Sequence, residues 1–532
     1  MSKVSVVVLG FVWVALACSS PDDTTAGGPE SLGGAAGVGG GVATGGLTTS
    51  GGAMGVGGLV GAVGVGGLVG VGGLVGVGGA VGVGGAIGSG GDLGVGGDQG
   101  VGGDQGVGGD QGVGGDQGVG GDQGVGGDQG VGGDVGTGGV VGECERQVGS
   151  CSAPTVNVTE VDLGASITGY GREGDTEPFP LAIAARPSGG SWLAALGTDG
   201  NVYVAELDCD DQLVGTPFSL PGVDLQDISA DENGGVVLLT RDATNGGQDN
   251  CGNGQLCGGE SSPCRTMWMV RFDNSGAVQW ETQVTNLSSS LAGYDNGARF
   301  VWWYQHHGRL AYDGANYAAY FCIGITVNNG SCVDIHEGDR MQVVGPDGTL
   351  LNHPDAFEVG CSHSWGTRLV WDERTGHFVM VCATDNNCRM AQPSPYTTVA
   401  SSTCDGTLFG GDLVLADGSG YWLAWSSGGN ISLEHFTTGA SDQTIGNAGS
   451  SSHPHLVSYG AGRMLLAWES GSGMTAQVRD SASGATIGSE FSINVADHDF
   501  GAFKAYSDGS AAYPASGSGN TSVNIARVMP CG

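Results

Sequence analysis

Positive charge is scarce in this sequence: of 532 residues only 17 are lysine or arginine, against 54 aspartates and glutamates, for a formal net charge of -37. Such a chain repels a phosphate backbone instead of being steered towards it, which excludes nucleic acid as a partner. Only two lysines occur, Lys3 and Lys504, and no lysine or arginine stands between Lys3 and Arg146. No Cys-x2-Cys pair occurs, so zinc ribbons and fingers are excluded. Proline is absent between Gly52 and Gly142, and no long amphipathic helical pattern appears beyond that stretch. What the chain does have is 110 glycines and 14 cysteines, the latter pointing to an oxidising compartment.

The leader carries Lys3 and then an apolar run from Val4 to Ala17 broken only by Ser5 and glycine, too short for a mature membrane span. Residues 1–17 therefore read as a secretory signal. Ala15-Leu16-Ala17-Cys18 followed by polar residues resembles a bacterial lipoprotein signal, which implies lipid attachment at Cys18 and a membrane partner through that anchor, although Ala15 stands where leucine is usual and Ala15-x-Ala17 suits an ordinary signal peptidase too. Lipidation would leave thirteen cysteines and one unpaired thiol.

Residues 18–142 read as a low-complexity tether. From Gly52 to Gly142 every third residue is glycine, in a register that resembles collagen. Without proline, and with a second glycine in about half the triplets, nothing offsets the entropy of ordering that backbone. A disordered coil is the expectation, with a collagen-like stalk or a β-solenoid as the alternatives. As a coil, Ser19 to Gly142 spans about 60 Å root-mean-square; a stiff stalk would reach roughly 280 Å. Eight aspartates from Asp92 to Asp134 recur every six residues and keep the tract soluble.

Composition changes at Glu143. All tryptophans but Trp13 and thirteen cysteines lie beyond it, in short apolar or alternating runs separated by Asp-Gly, Asn-Gly and Ser-Gly turns. The expected class is all-β. A weak repeat aligns Trp192, Val236, Tyr317, Phe378, Trp422, Met464 and Ala511, at intervals of 44, 81, 61, 44, 42 and 47 residues. Four of the six intervals equal one blade, so residues 143–532 resemble a β-propeller of seven blades, or six if one copy is spurious, with a two-sheet sandwich pair as the rival. No WD series, kelch signature or sialidase aspartate box is present. The strand from Thr155 should complete the last blade and bring Cys531 near Cys144 or Cys151, and the cysteine-bearing inserts should be long loops on one face. Cys251/Cys257/Cys264, Cys322/Cys332 and Cys382/Cys388 are spaced for local disulfides.

The densest polar cluster runs Trp302-Trp303-Tyr304-Gln305-His306-His307, His336-Glu337-Gly338-Asp339-Arg340 and Cys361-Ser362-His363-Ser364-Trp365. If these loops meet over the channel, His306, His336 and His363 would ligate a metal or act as acid and base, with Asp339 orienting one imidazole; the plainer reading is loops bonded to one another. Trp302, Trp303 and Trp365 suit stacking on sugar rings, or inter-blade core. No cofactor is expected; calcium is the ion that Asp208, Asp210 and Asp211 would take, though such a run is more often an exposed turn. The function expected is a cell-envelope lipoprotein, at the outer membrane surface or secreted, presenting a non-catalytic propeller to a surface glycan or protein. The competing classes are an extracellular propeller hydrolase or lyase using the histidines, and a structural stalk.

Overall fold

The computed structural model describes residues 144–532, apart from 168–180, 244–256, 258, 260–263, 286–298, 301–307, 329–331, 362–365, 385–387, 452 and 497–500. The expected leader, the tether and Cys18 lie outside the described residues. Among the described residues no helix is long and apolar enough to cross a membrane.

Seven antiparallel sheets of four strands follow one another along the chain. Blade one is Leu181–Ala185, Ser191–Leu196, Asn201–Leu207 and Leu213–Pro221; blade two is Asp224–Asp231, Gly234–Asp242, Arg265–Asp273 and Val278–Gln283. Blade four spans Thr367–Asp372 to Tyr396–Ser401, blade five Phe409–Leu415 to Gln443–Gly449, and blade six Pro454–Ser458 to Thr486–Ile493. Blade seven supplies only Lys504–Ala505, Ala511–Ser516 and Ser522–Val528, and its fourth strand is Val156–Asp162, paired in register from Val156 with Val528 to Asp162 with Ser522. The N-terminal strand therefore closes the ring, as expected, and the sheet has no free end there. Seven blades are present, and the sandwich and six-blade alternatives fall away.

Second strands are buried on both faces because a blade lies against each: all six residues of Ser191–Leu196 are buried. Outer strands such as Leu213–Pro221 are largely exposed. Every residue of the aligned sequence repeat falls in a second strand. Seven apolar clusters occupy the seven seams between neighbouring blades, for example Trp192, Val204, Leu225, Val237 and Phe272 between blades one and two. The seam tryptophans also spend their one polar atom: Trp192 Nε1 donates to the Gly234 carbonyl at 3.2 Å and Trp422 Nε1 to the Ser481 carbonyl at 2.8 Å.

Tyrosine hydroxyls fasten blades pairwise. Tyr317 donates to Asp231 of the preceding blade, and Tyr421 to Asp372 at 2.7 Å. Burial, then the bond to Asp372, pushes the Tyr421 phenol up to about 12. Turns are set by Asx geometry: Asp313 Oδ1 accepts the Ala315 amide at 2.8 Å, and Gly314 takes φ +97°, open to glycine at no steric cost.

Blade three departs from the pattern. Its central strands, Tyr317–Asn328 and Val333–Val344, are twelve residues each, longer than any others, and Arg299–Phe300 pairs beyond Arg309–Tyr312 on the same edge. In place of a regular outer strand, single bridges join Met341 to Phe357 and Val344 to Leu350. Of the two long intervals seen in the sequence, the first, from Val236 to Tyr317, contains the insert of blade two, and the second, from Tyr317 to Phe378, contains this extended hairpin.

Ring closure is held by two disulfides. Cys151 bonds Cys531, the second of the two partners expected for it, and Cys144 bonds Cys209 in the turn after the third strand of blade one. Beside them, Arg527 makes a bidentate pair with Asp211, at 2.8 Å from Nε and 2.5 Å from Nη2, and lies 4.0 Å over the Tyr506 ring. Arg146 reaches Asp508 at 3.3 Å and the Cys209 carbonyl. Since strands alternate in direction, these turns share one face of the ring, and the connections between second and third strands and between blades share the other.

Candidate functional site

First strands line the central channel, and they start at the face that carries the inserts. Near that start stand Asp227, Arg309, Arg368, Asp412, His455 and Lys504, one from each of blades two to seven; blade one contributes Ala182. An aliphatic residue follows each of them, and in blades three and six this residue's amide ties its blade to the preceding one. Asp227 Oδ2 accepts the Leu310 amide at 2.9 Å, and Asp412 Oδ2 the Leu456 amide at 3.3 Å. Lys504 Nζ passes the small Ala182 position to reach Asp227 Oδ1 at 2.8 Å. Arg368 Nε lies 2.9 Å from Asp412 Oδ1, its other nitrogens donate to the Thr367 and Gly410 carbonyls, and His455 Nδ1 lies 3.6 Å from Asp412.

This girdle is desolvated. Burial, then the neighbouring Arg309 charge, lowers Arg368 to about 10 against the pull of Asp412. For Asp412 burial works upwards, but Arg368, His455 and Arg309 outweigh it and hold the carboxyl well below the usual carboxylate range. Beneath the girdle a cavity of about 280 Å³ is walled by first-strand residues of blades three to six and by Ala502 to Ala505, with Leu369, Leu413, Leu456 and Phe503 on its apolar side. Sequence reading from the second strands missed the girdle. Its signal was a charged residue, or in blade six His455, followed by an aliphatic one in six first strands.

Around this mouth, disulfides staple the inserts. Cys257 in the insert of blade two bonds Cys332 at the tip of the blade-three hairpin, Cys361 before blade four bonds Cys382, and Cys388 bonds Cys404 in the connection to blade five. Cys264 is also disulfide-bonded, and buried Cys322 is the one described cysteine that is not. The expected local pairs Cys322/Cys332 and Cys382/Cys388 do not form: Cys332 bonds Cys257 of the neighbouring blade, 75 residues away, Cys382 bonds Cys361, and Cys388 keeps a local partner in Cys404, 16 residues on.

Of the expected site residues, His306, His363, Trp302, Trp303 and Trp365 lie outside the described residues. His336 sits in Val333–Val344 opposite Ile325, on the rising part of the hairpin. Asp339 in the same strand is fully buried, where the Tyr320 hydroxyl donates to it, and burial and the Asp339 charge push that phenol far up. The acidic run at Asp208 does not converge: Asp208 Oδ1 accepts the Asp210 and Gln212 amides at 2.9 Å each, while Asp211 is taken by Arg527. That is turn geometry.

No family model and no curated protein matches the chain. Solved structures similar to it include a protein of unknown function from Dyadobacter fermentans, 10% identical, covering 71% of this chain and 100% of that one with a TM-score of 0.38. The WD40 domain of Toxoplasma gondii coronin is 10% identical over 72% of this chain and 89% of that one, TM-score 0.38, and a Lactobacillus plantarum protein 12% identical over 60% and 85%, TM-score 0.34. The chain is an all-β, seven-bladed propeller, on the pairing of its own strands.

Proposed function

We propose that this protein is a cell-envelope lipoprotein whose propeller binds, without catalysis, a glycan or protein at the cell surface. The observation that carries the reading is the gathering of long, disulfide-stapled inserts from blades two to four on the channel-mouth face, while the first described residue, Cys144, enters at the opposite face. A rigid scaffold that spends its length on one face presents that face. Pre-ordering those loops by disulfides lowers the entropic cost of binding.

The test is binding of the secreted full chain to a glycan array and to whole cells, set against the same chain with Cys257→Ser and Cys332→Ser. The parent should bind saturably and the variant at least tenfold more weakly with its melting transition retained. Equal binding by both, or turnover of a bound polymer by the parent, would reject the non-catalytic mouth-face reading; lipid at Cys18, read by mass spectrometry of the membrane fraction, decides the anchor.

A further inference from the structure

Between blades three and four, on the channel-mouth side but buried in the seam, three ligand-type side chains converge. The Asp339 carboxylate and the Cys361 and Cys382 sulfurs all lie within 4.8 Å of one another, and all three residues are fully buried. Two other mouth-face bridges, Cys257–Cys332 and Cys388–Cys404, each include an exposed cysteine, Cys257 and Cys404. A disulfide has no charge to offer a carboxylate, so setting a desolvated aspartate against one costs free energy with no return from sulfur. The packing nevertheless holds it there. A Cβ at Gly360 would strike Asp339 Oδ1, so the residue before Cys361 leaves the room that this carboxylate fills, and the Gly360 amide donates to the Asp339 carbonyl at 2.9 Å. Tyr320 orients the carboxylate, and the Cys322 thiol stands directly across the strand pair from Asp339. Thiolates and a carboxylate in one dry pocket are a donor set for a borderline-soft divalent ion, whose two positive charges would offset theirs.

We propose that the Asp339, Cys361 and Cys382 pocket is a redox-gated metal site: a disulfide in the oxidised chain and, in the dithiol chain, a ligand set for a zinc- or cadmium-class cation. An external dithiol reduces the bridge with two electrons and leaves as its own disulfide, giving two cysteine thiols. The cation then binds both sulfurs and the carboxylate, and the two thiol protons go to solvent. An external disulfide then takes the two electrons and, with two protons from solvent, leaves as two thiols; the Cys361–Cys382 bond closes and the cation is expelled. The inference concerns this interior pocket and does not draw on the ligand-binding reading of the mouth.

The full chain, reduced anaerobically and confirmed folded by circular dichroism, is alkylated in the presence and absence of Zn2+ and mapped by peptide mass spectrometry. Zinc should slow labelling of Cys361 and Cys382 at least tenfold while Cys388 and Cys404 label at an unchanged rate. Titration with Cd2+ should give one equivalent of thiolate charge-transfer absorbance that is lost in Asp339→Asn and weakened in Gly360→Ala. Equal labelling of Cys361 and Cys382 with and without zinc overturns the proposal, as does cadmium uptake that is the same in the Asp339→Asn chain.

Discussion

Replacing Cys151 and Cys531 together by serine removes the bridge with the largest span in the molecule, and its cost follows from chain statistics. The sequence separation is 380 residues, for which loop-closure entropy gives about 6 kcal/mol; the same relation gives about 4 for Cys144–Cys209, separation 65, and about 3 for Cys388–Cys404, separation 16. The closing strand Val156–Asp162 remains in all three double-serine variants, so the differences isolate the covalent term. Guanidinium unfolding followed by tryptophan fluorescence, with equal slopes for the three, should rank the losses in that order. If Cys388→Ser with Cys404→Ser costs as much as Cys151→Ser with Cys531→Ser, the argument that closure works by restricting the unfolded ring is refuted.

Two further outcomes are specific. Asp412 has its folded pKa depressed, so its pairing stabilises the protein above the ordinary aspartate value near pH 4 and is lost as pH falls below it. Stability measured from pH 6 to 2 should therefore decline in the parent and decline less steeply in Asp412→Asn, which also loses about 3–5 kcal/mol at pH 7 by leaving Arg368 buried and unpaired; parallel pH profiles would contradict this. Trp422→Ala, which empties a fully buried seam and drops the bond to Ser481, should cost about 3–5 kcal/mol, read as a shift of the urea midpoint; a loss under 1 kcal/mol would mean that blades five and six do not share a rigid seam.

Strand identity and blade number were legible because the second strands are buried on both sides, and Trp192, Trp422 and Met464 advertise that in any window. The closing strand was legible for a related reason: blade seven runs out of chain one strand short, and the segment from Thr155 had nowhere else to pair. Apart from Cys151 with Cys531, disulfide partners were not. Cys257 and Cys332 are 75 residues apart, and only the side-by-side placement of blades two and three brings them together. The girdle was hidden by the choice of strand, since first strands are short, down to Lys504–Ala505, and their charged residues resemble ordinary surface when read one at a time. Blade three obscured its own fourth strand, which survives as two single bridges with no period to detect.

The bond from Cys144 to Cys209 also sets how the domain carries tension. A pull arriving from the N-terminal side reaches Cys144 before it reaches Val156, and passes through sulfur into the body of blade one. The closing strand sits slack behind that shortcut, inside a covalent loop. A pull on chain preceding Cys144 therefore loads the Cys144–Cys209 bond, which only chemistry can break, ahead of the pairing between Val156–Asp162 and Ser522–Val528.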